Sequence, residues 1–96
     1  LRLANTLLKE EPVPEVTVFL MADSVACAKA NQKTPDGYYN LERMLKGFVR
    51  KATLLLCGTC MDARGVAENE LLAGARRSTM GELTELTFAA DKVLVF

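Results

Sequence analysis

The sequence contains no histidine among its 96 residues. Without an imidazole, one chain cannot assemble a Ser-His-Asp or Cys-His catalytic unit, nor a zinc site that requires a histidine ligand. It also lacks the GxxxxGK(S/T) phosphate-binding loop and the GxGxxG turn of nucleotide-binding proteins. If the protein carries out chemistry, cysteine is therefore the side chain best suited to it.

Neither sign of charge dominates, because 12 basic and 12 acidic residues cancel. The densest basic groups are Lys46 with Arg50 and Lys51, and Arg76 with Arg77. Neither group forms the basic stripe that binding along a phosphate backbone requires. We therefore expect no nucleic-acid partner.

Long apolar runs are also missing, and none approaches the roughly 20 residues of a membrane helix. The first 11 residues, LRLANTLLKEE, lack the apolar core and cleavage site of a signal peptide. Three cysteines, an odd number, argue against a secreted disulfide scaffold. We expect one soluble, cytoplasmic domain spanning residues 1–96, with no membrane partner.

Strand-like and helix-like patterns alternate along the chain. Strands are predicted at Glu15–Met21, Thr53–Cys57, Ala75–Arg77 and Asp91–Phe96, and all except the short third one have the apolar composition of strands buried on both faces. Helices are predicted from Leu1 until Pro12 and Pro14, from Asp23 or Ser24 to about Ala30, from Asn40 to Lys51, and from Thr79 to about Ala90. The alternation predicts an α/β fold with a parallel sheet.

Two features of this pattern are unusual. A parallel α/β fold normally begins with a strand, so we expect a strand upstream of Leu1. Only Ala52 remains between a helix that runs to Lys51 and the next strand, whereas such connections usually take about 2–6 residues. Either residues are missing at this junction or the helix ends earlier.

The segment LLLCGTCMDARG, residues 54–65, carries the main functional signal. A strand that ends at Cys57 places its thiol at the carboxyl edge of the sheet, where open α/β folds bind ligands. A helical turn starting at Gly58 directs backbone N–H groups towards that thiol and lowers its pKa. Cys60 lies on the same side of the turn, and Arg64 adds positive charge that Asp62 opposes.

Other interpretations of the cysteines remain open. Cys57 and Cys60 are also explained as small buried hydrophobic residues, or as a thioredoxin-like exchange pair. A zinc site would need Cys27 and a carboxylate such as Asp23 to complete four ligands, and packing explains Cys27 better.

Several polar residues have both a functional and a structural interpretation. Asp23 follows a predicted strand at the same sheet edge as Cys57, but it equally suits the N-cap of a helix. Tyr38 and Tyr39 are candidates to cover a site, although aromatic residues beside a turn more often act as anchors. The run Arg76–Ser78 suits an anionic ligand, but a solvated edge explains it better.

Five segments, FLMADSV, GYYNLERML, LCGTCMDARG, GARRSTMGEL and ADKVLVF, resemble the DsrE/DsrF family, specifically its YchN-like branch. The resemblance covers nearly the whole chain. It implies a three-layer α/β/α sandwich with a mainly parallel sheet and a homo-oligomer, expected to be a hexamer. The family's opening strand and a glycine-containing loop have no counterpart after Leu1.

Better-understood members of that family are sulfur carriers that hold sulfane sulfur as a cysteine persulfide. By motif, the resemblance places the carrier at Cys57 and makes Cys60 the additional cysteine of the branch. The candidates for lining the pocket are Asp23, Gly58, Thr59 and Arg64. The leading hypothesis is a sulfur-relay protein that exchanges sulfur with donor and acceptor proteins and uses no metal or other cofactor. The alternative is an oligomeric binding or thiol-switch module without catalytic activity.

Overall fold

Three short parallel strands form the centre of the protein in the computed structural model, which describes residues 1–96. They are β1 (Thr17–Leu20), β2 (Thr53–Cys57) and β3 (Ala75–Ser78), arranged in that order with β2 in the middle. The register pairs Leu20 with Leu56, and Cys57 with Ser78. The carboxyl ends of all three strands therefore meet at one edge of the sheet, as the sequence predicts.

The central strand is buried because its apolar run is covered on both faces. Leu54, Leu55 and Leu56 are each at most 1% exposed. Alternation along the strand directs Leu54 and Leu56 into the main hydrophobic cluster and Leu55 to the opposite face. Burial of each leucine contributes about 1.5–3 kcal/mol, so this strand is the best-anchored element at the site.

The chain also has four α-helices and two 3₁₀ helices. They are α1 (Arg2–Leu7), α2 (Leu41–Phe48), α3 (Gly58–Ala63) and α4 (Met80–Ala89), with 3₁₀ helices at Ala22–Ala28 and Glu68–Glu70. No helix here combines the length and the apolar character needed to cross a bilayer.

At the junction before β2, the preceding helix ends earlier than its sequence pattern suggested, which is one of the two alternatives left open by the sequence. Helix α2 begins at the N-cap Asn40, as predicted, where the amide oxygen accepts a hydrogen bond from the backbone N–H of Arg43 at 3.0 Å. The helix ends at Phe48, earlier than its apolar pattern indicated. The Ala52 N–H donates to the Phe48 carbonyl oxygen at 3.0 Å, and this compact turn leads directly into the strand.

The helix after β1 differs from the prediction. It is a 3₁₀ helix that ends at Ala28, and its N-cap is Met21 rather than Asp23 or Ser24. The Ser24 hydroxyl reaches back and accepts a hydrogen bond from the Met21 N–H at 2.9 Å. Because Ser24 forms this hydrogen bond, the Asp23 carboxylate does not cap the helix and can bind another group.

The prediction of a buried strand at Asp91–Phe96 is wrong for this structure. The segment has no regular secondary structure and is exposed throughout, with Val95 90% and Phe96 102% exposed. A strand needs a partner to satisfy its backbone groups, and this segment pairs with none in the single chain. Helix α4, which begins at Thr79 as predicted, likewise buries no residue.

Candidate functional site

The CxxC segment occupies the point where β2 passes into α3. Cys57 is the last residue of the strand and the N-cap of the helix, which begins at Gly58. Cys57 is only 3% exposed, whereas Cys60 is half-buried. The strand therefore delivers Cys57 to the carboxyl edge of the sheet, with Cys60 one turn further on.

Local contacts lower the pKa of the Cys57 thiol. The main cause is the Thr59 hydroxyl, whose oxygen lies 3.3 Å from the Cys57 Sγ. The Cys60 thiol and the Cys60 backbone N–H lower the pKa of Cys57 further, whereas burial raises it. Since the thiolate is the reactive form of cysteine, these contacts favour nucleophilic chemistry at Cys57.

Asp23 and Arg64, which are 41 residues apart in sequence, meet beside α3. The Arg64 Nε donates to the Asp23 Oδ1 at 2.9 Å, and the Arg64 NH1 donates to the Cys60 carbonyl oxygen at 3.3 Å. This places both predicted candidates next to the CxxC helix. The Asp23 side chain is 99% exposed, so the pair contributes less than about 1 kcal/mol of stability.

Gly58 allows a close approach, although the group that approaches is an arginine of the same chain. A Cβ atom at Gly58 would lie 2.8 Å from both the Cζ and the Nε of Arg77. Arg77 also donates two hydrogen bonds to the Asp62 carboxylate, at 2.8 and 2.9 Å. Asp62 therefore pairs with Arg77 and not with Arg64, and Arg77 lowers its pKa.

The neighbouring arginine forms a similar pair on the other side of β3. Arg76 donates to both carboxylate oxygens of Glu82, and Ser78 donates to the same carboxylate. Arg76 first, and then Ser78, lower the pKa of Glu82 to about 2. The Thr79 hydroxyl accepts a hydrogen bond from the Glu82 N–H at 3.2 Å, whereas the Glu82 carboxylate binds β3 and does not return to the Thr79 N–H.

The sequence interpretation missed the role of Arg77. It treated Arg76–Ser78 as a solvated edge; both arginines are indeed exposed, and each also forms a two-point ion pair. The available signal was the end of a predicted strand at Arg77, since parallel strands place their last residues at the same edge as Cys57. The path of a long side chain along that edge is not encoded in local spacing.

The remaining candidates lie outside this arrangement. Cys27 packs against the hydrophobic core, and no three cysteine or carboxylate side chains have a geometry that would hold a metal ion. Tyr38 and Tyr39 line a surface cleft of about 320 Å³ together with Pro35 and Arg43, and neither CxxC cysteine lines it.

Comparison with known proteins shows similarity that extends over residues 1–96. The model of the DsrE/DsrF-like family matches residues 1–96. Protein YchN of Escherichia coli strain K12 is 38% identical over 97 aligned positions, covering 100% of this chain and 82% of the relative. An uncharacterised protein of Methanocaldococcus jannaschii, MJ0989, is 34% identical over 96 positions, with the same coverage of both chains.

The fold is shared as well. The crystal structure of the Escherichia coli YchN protein superimposes with a TM-score of 0.93 at 38% identity, covering 99% of this chain and 81% of that one. The predicted α/β class and parallel sheet are confirmed. On this evidence, the chain belongs to the DsrE/DsrF-like family, which is associated with sulfur relay.

Proposed function

We propose that the protein is a sulfur carrier in a relay and that Cys57 holds the transferred sulfur as a persulfide. The observation that carries the proposal is the Cys57 thiol at the end of a buried strand, with a lowered pKa and a second thiol one turn away. Family membership supports the same chemistry.

Loading begins when the Cys57 thiolate attacks the terminal sulfur of a donor persulfide, R–S–SH. The donor S–S bond breaks, RS⁻ leaves with the bonding electron pair, and Cys57 becomes Cys–S–SH. A thiolate on an acceptor protein then attacks the terminal sulfur, which leaves the acceptor as a persulfide and restores the Cys57 thiolate. No external oxidant or reductant is consumed in this cycle.

Cys60 provides a competing reaction. Its thiolate can attack the inner sulfur of the Cys57 persulfide, forming a Cys57–Cys60 disulfide and expelling HS⁻. The disulfide accounts for the two electrons that convert sulfane sulfur to sulfide. A second thiol therefore shortens the lifetime of the persulfide, and the protein acts as a transfer site rather than a store.

Sulfur uptake tests the proposal directly. Intact mass spectrometry after incubation with a persulfide donor should show one added sulfur atom in the parent protein and none in Cys57→Ser. Cys60→Ser should retain the added sulfur for longer, because the competing attack is removed. Cys27→Ser is the matched control and should load like the parent. Equal loading of Cys57→Ser and the parent would refute the assignment.

The second candidate function is a binding or thiol-switch module without catalytic activity. It is favoured by the 3% exposure of Cys57, since burial limits access of a donor in the single chain. This candidate predicts that Cys57→Ser/Cys60→Ser keeps its assembly and its partner binding, and that the parent takes up no sulfur.

Self-association and location belong to the same proposal. We infer that the protein forms a homo-oligomer, which the family resemblance suggests is a hexamer. We also infer that it works in the cytoplasm, where reducing conditions keep the two thiols available. Large apolar side chains exposed in the C-terminal part of the chain support an interface. These residues are Met80, Phe88, Val93, Leu94, Val95 and Phe96.

A further inference from the structure

The Arg77 side chain lies against the backbone of Gly58, the residue that follows Cys57. The Cζ and Nε of Arg77 would lie 2.8 Å from a Cβ atom at Gly58, and NH2 would lie at 3.0 Å. Those distances are shorter than carbon contacts normally allow, so the guanidinium occupies the space that any other side chain would take. Only a residue without a Cβ permits this position of Arg77.

Asp62 fixes the same guanidinium from the other side. The two terminal nitrogens of Arg77 donate to the two carboxylate oxygens of Asp62, at 2.8 and 2.9 Å. Such two-point pairs fix the plane of the arginine as well as its distance. Asp62 and Gly58 both belong to α3, so Arg77 connects β3 to the helix that carries the CxxC motif.

We propose that Arg77 is a positioning residue for Cys57, which holds the Cys57–Gly58 turn in place and stabilises the Cys57 thiolate by its positive charge. A nearby positive charge favours the thiolate over the neutral thiol. The reverse effect is also present: Asp62 is the main cause of the raised pKa of Arg77, Glu68 adds to it, and a negative charge on Cys57 makes the smallest contribution. The role in sulfur transfer rests on the proposed function, whereas the effect on the thiol does not.

Other ionisable groups surround this site and must be separated from Arg77. They are Cys60 and Asp62 on α3, Glu68 on the second 3₁₀ helix, the Arg64–Asp23 pair between α3 and the first 3₁₀ helix, and the Arg76–Glu82 pair between β3 and α4. Both Asp23 and Glu82 are already paired with an arginine.

Arg76 provides a matched control within the same strand. It precedes Arg77, is similarly exposed and binds both oxygens of a carboxylate, that of Glu82. Its ion pair directs it towards Glu82 of α4 and away from Gly58. Replacing either arginine therefore removes the same charge and the same kind of ion pair, but only Arg77 contacts Gly58.

The test is a pH titration of the Cys57 thiolate, followed by its ultraviolet absorbance in the full chain carrying Cys27→Ser and Cys60→Ser. Arg77→Gln should raise the midpoint by less than about one pH unit, because the charge that is removed is already paired with Asp62. Arg77→Lys should restore part of the shift, because it keeps the charge but loses the two-point pair. Arg76→Gln should leave the midpoint unchanged.

A second variant tests the geometry without touching Arg77. The Cβ of Gly58→Ala would displace the guanidinium, which is the mobile end of a long side chain, so the fold can adjust. The midpoint should rise, by less than in Arg77→Gln. An unchanged midpoint in both Arg77→Gln and Gly58→Ala, or an equal rise in Arg76→Gln, would overturn the proposal.

Sulfur uptake is measured separately, so the two hypotheses fail in different ways. A shifted titration midpoint in a protein that takes up no sulfur supports the role of Arg77 and refutes the carrier function. Normal sulfur uptake with an unchanged titration midpoint supports the carrier function and refutes the role of Arg77.

Discussion

At the scale of single residues, the reactivity of Cys57 depends on contacts within a few positions of it. The sequence alone predicted the lowered pKa of Cys57, because a cysteine at a strand end followed by a helical turn is a local pattern. Thr59 is also local, and the sequence placed it in the pocket without assigning its hydroxyl to the thiol. Arg77 is distant in sequence, and its contact with Gly58 depends on how β2 and β3 pair.

The first prediction concerns Thr59. Thr59→Val removes the hydroxyl that chiefly lowers the pKa of Cys57, so the thiolate midpoint should rise. One hydrogen bond contributes about 0.5–1.5 kcal/mol, which corresponds to a rise of about 0.4–1.1 pH units. The measurement is the pH dependence of thiolate absorbance in the Cys27→Ser/Cys60→Ser background. Thr59→Ser keeps the hydroxyl and should match the parent, and an unshifted midpoint in Thr59→Val would contradict the assignment.

At the scale of secondary-structure elements, side-chain contacts decided where helices begin and end. The caps at Asn40 and Thr79 were predictable, since both residues accept a hydrogen bond from the N–H three positions later. The 3₁₀ helix after β1 was not, because Asp23 and Ser24 are both good capping residues and only the fold shows which one turns back. The choice of Ser24 leaves Asp23 to bind Arg64.

The second prediction concerns the junction between β3 and α4. Arg76 and Ser78 depress the pKa of Glu82 from 4.5 to about 2 in the folded protein. A depressed carboxylate pKa stabilises the fold above the unfolded value, and this contribution is lost as the pH falls through the folded value. The free energy of unfolding, measured by denaturation, should therefore be higher for the parent than for Glu82→Gln above about pH 4.5. The two values should converge as the pH falls towards 2.

Glu85→Gln is the matched control for this measurement, because Glu85 lies exposed on the same helix without an ion pair. Its difference from the parent should stay small at every pH. If the difference in free energy of unfolding between the parent and Glu82→Gln is as large at pH 2 as at neutral pH, the charge on Glu82 does not cause that difference.

At the scale of the whole molecule, the chain exposes apolar surface that the sequence predicted to be buried. The composition of Asp91–Phe96 suits a strand, but composition does not supply the neighbouring strand that would pair with it. Helix α4 likewise lies outside the core, and its Phe88 is 88% exposed. Together with the 91–96 segment, α4 is the surface on which we base self-association.

The third prediction is that Phe88→Asp disrupts this assembly. Burying a phenylalanine contributes about 1.5–3 kcal/mol, and an unpaired carboxylate in the same interface adds a desolvation cost. The expected result is a smaller species by light scattering after size-exclusion chromatography, with unchanged helical content. Val13→Asp is the control, because Val13 is 55% exposed outside α4 and the C-terminal segment. An assembly that survives Phe88→Asp would place the interface elsewhere.

The most direct test of the central claim is to locate the transferred sulfur. Trypsin leaves Cys57 and Cys60 on one peptide, Ala52–Arg64, so fragment-ion mass spectrometry of that peptide must separate the two residues. After loading from a persulfide donor, the extra sulfur should be found on Cys57, and more of it should remain in Cys60→Ser than in the parent. Sulfur found on Cys60, or on neither cysteine, would contradict the assignment of Cys57 as the carrier.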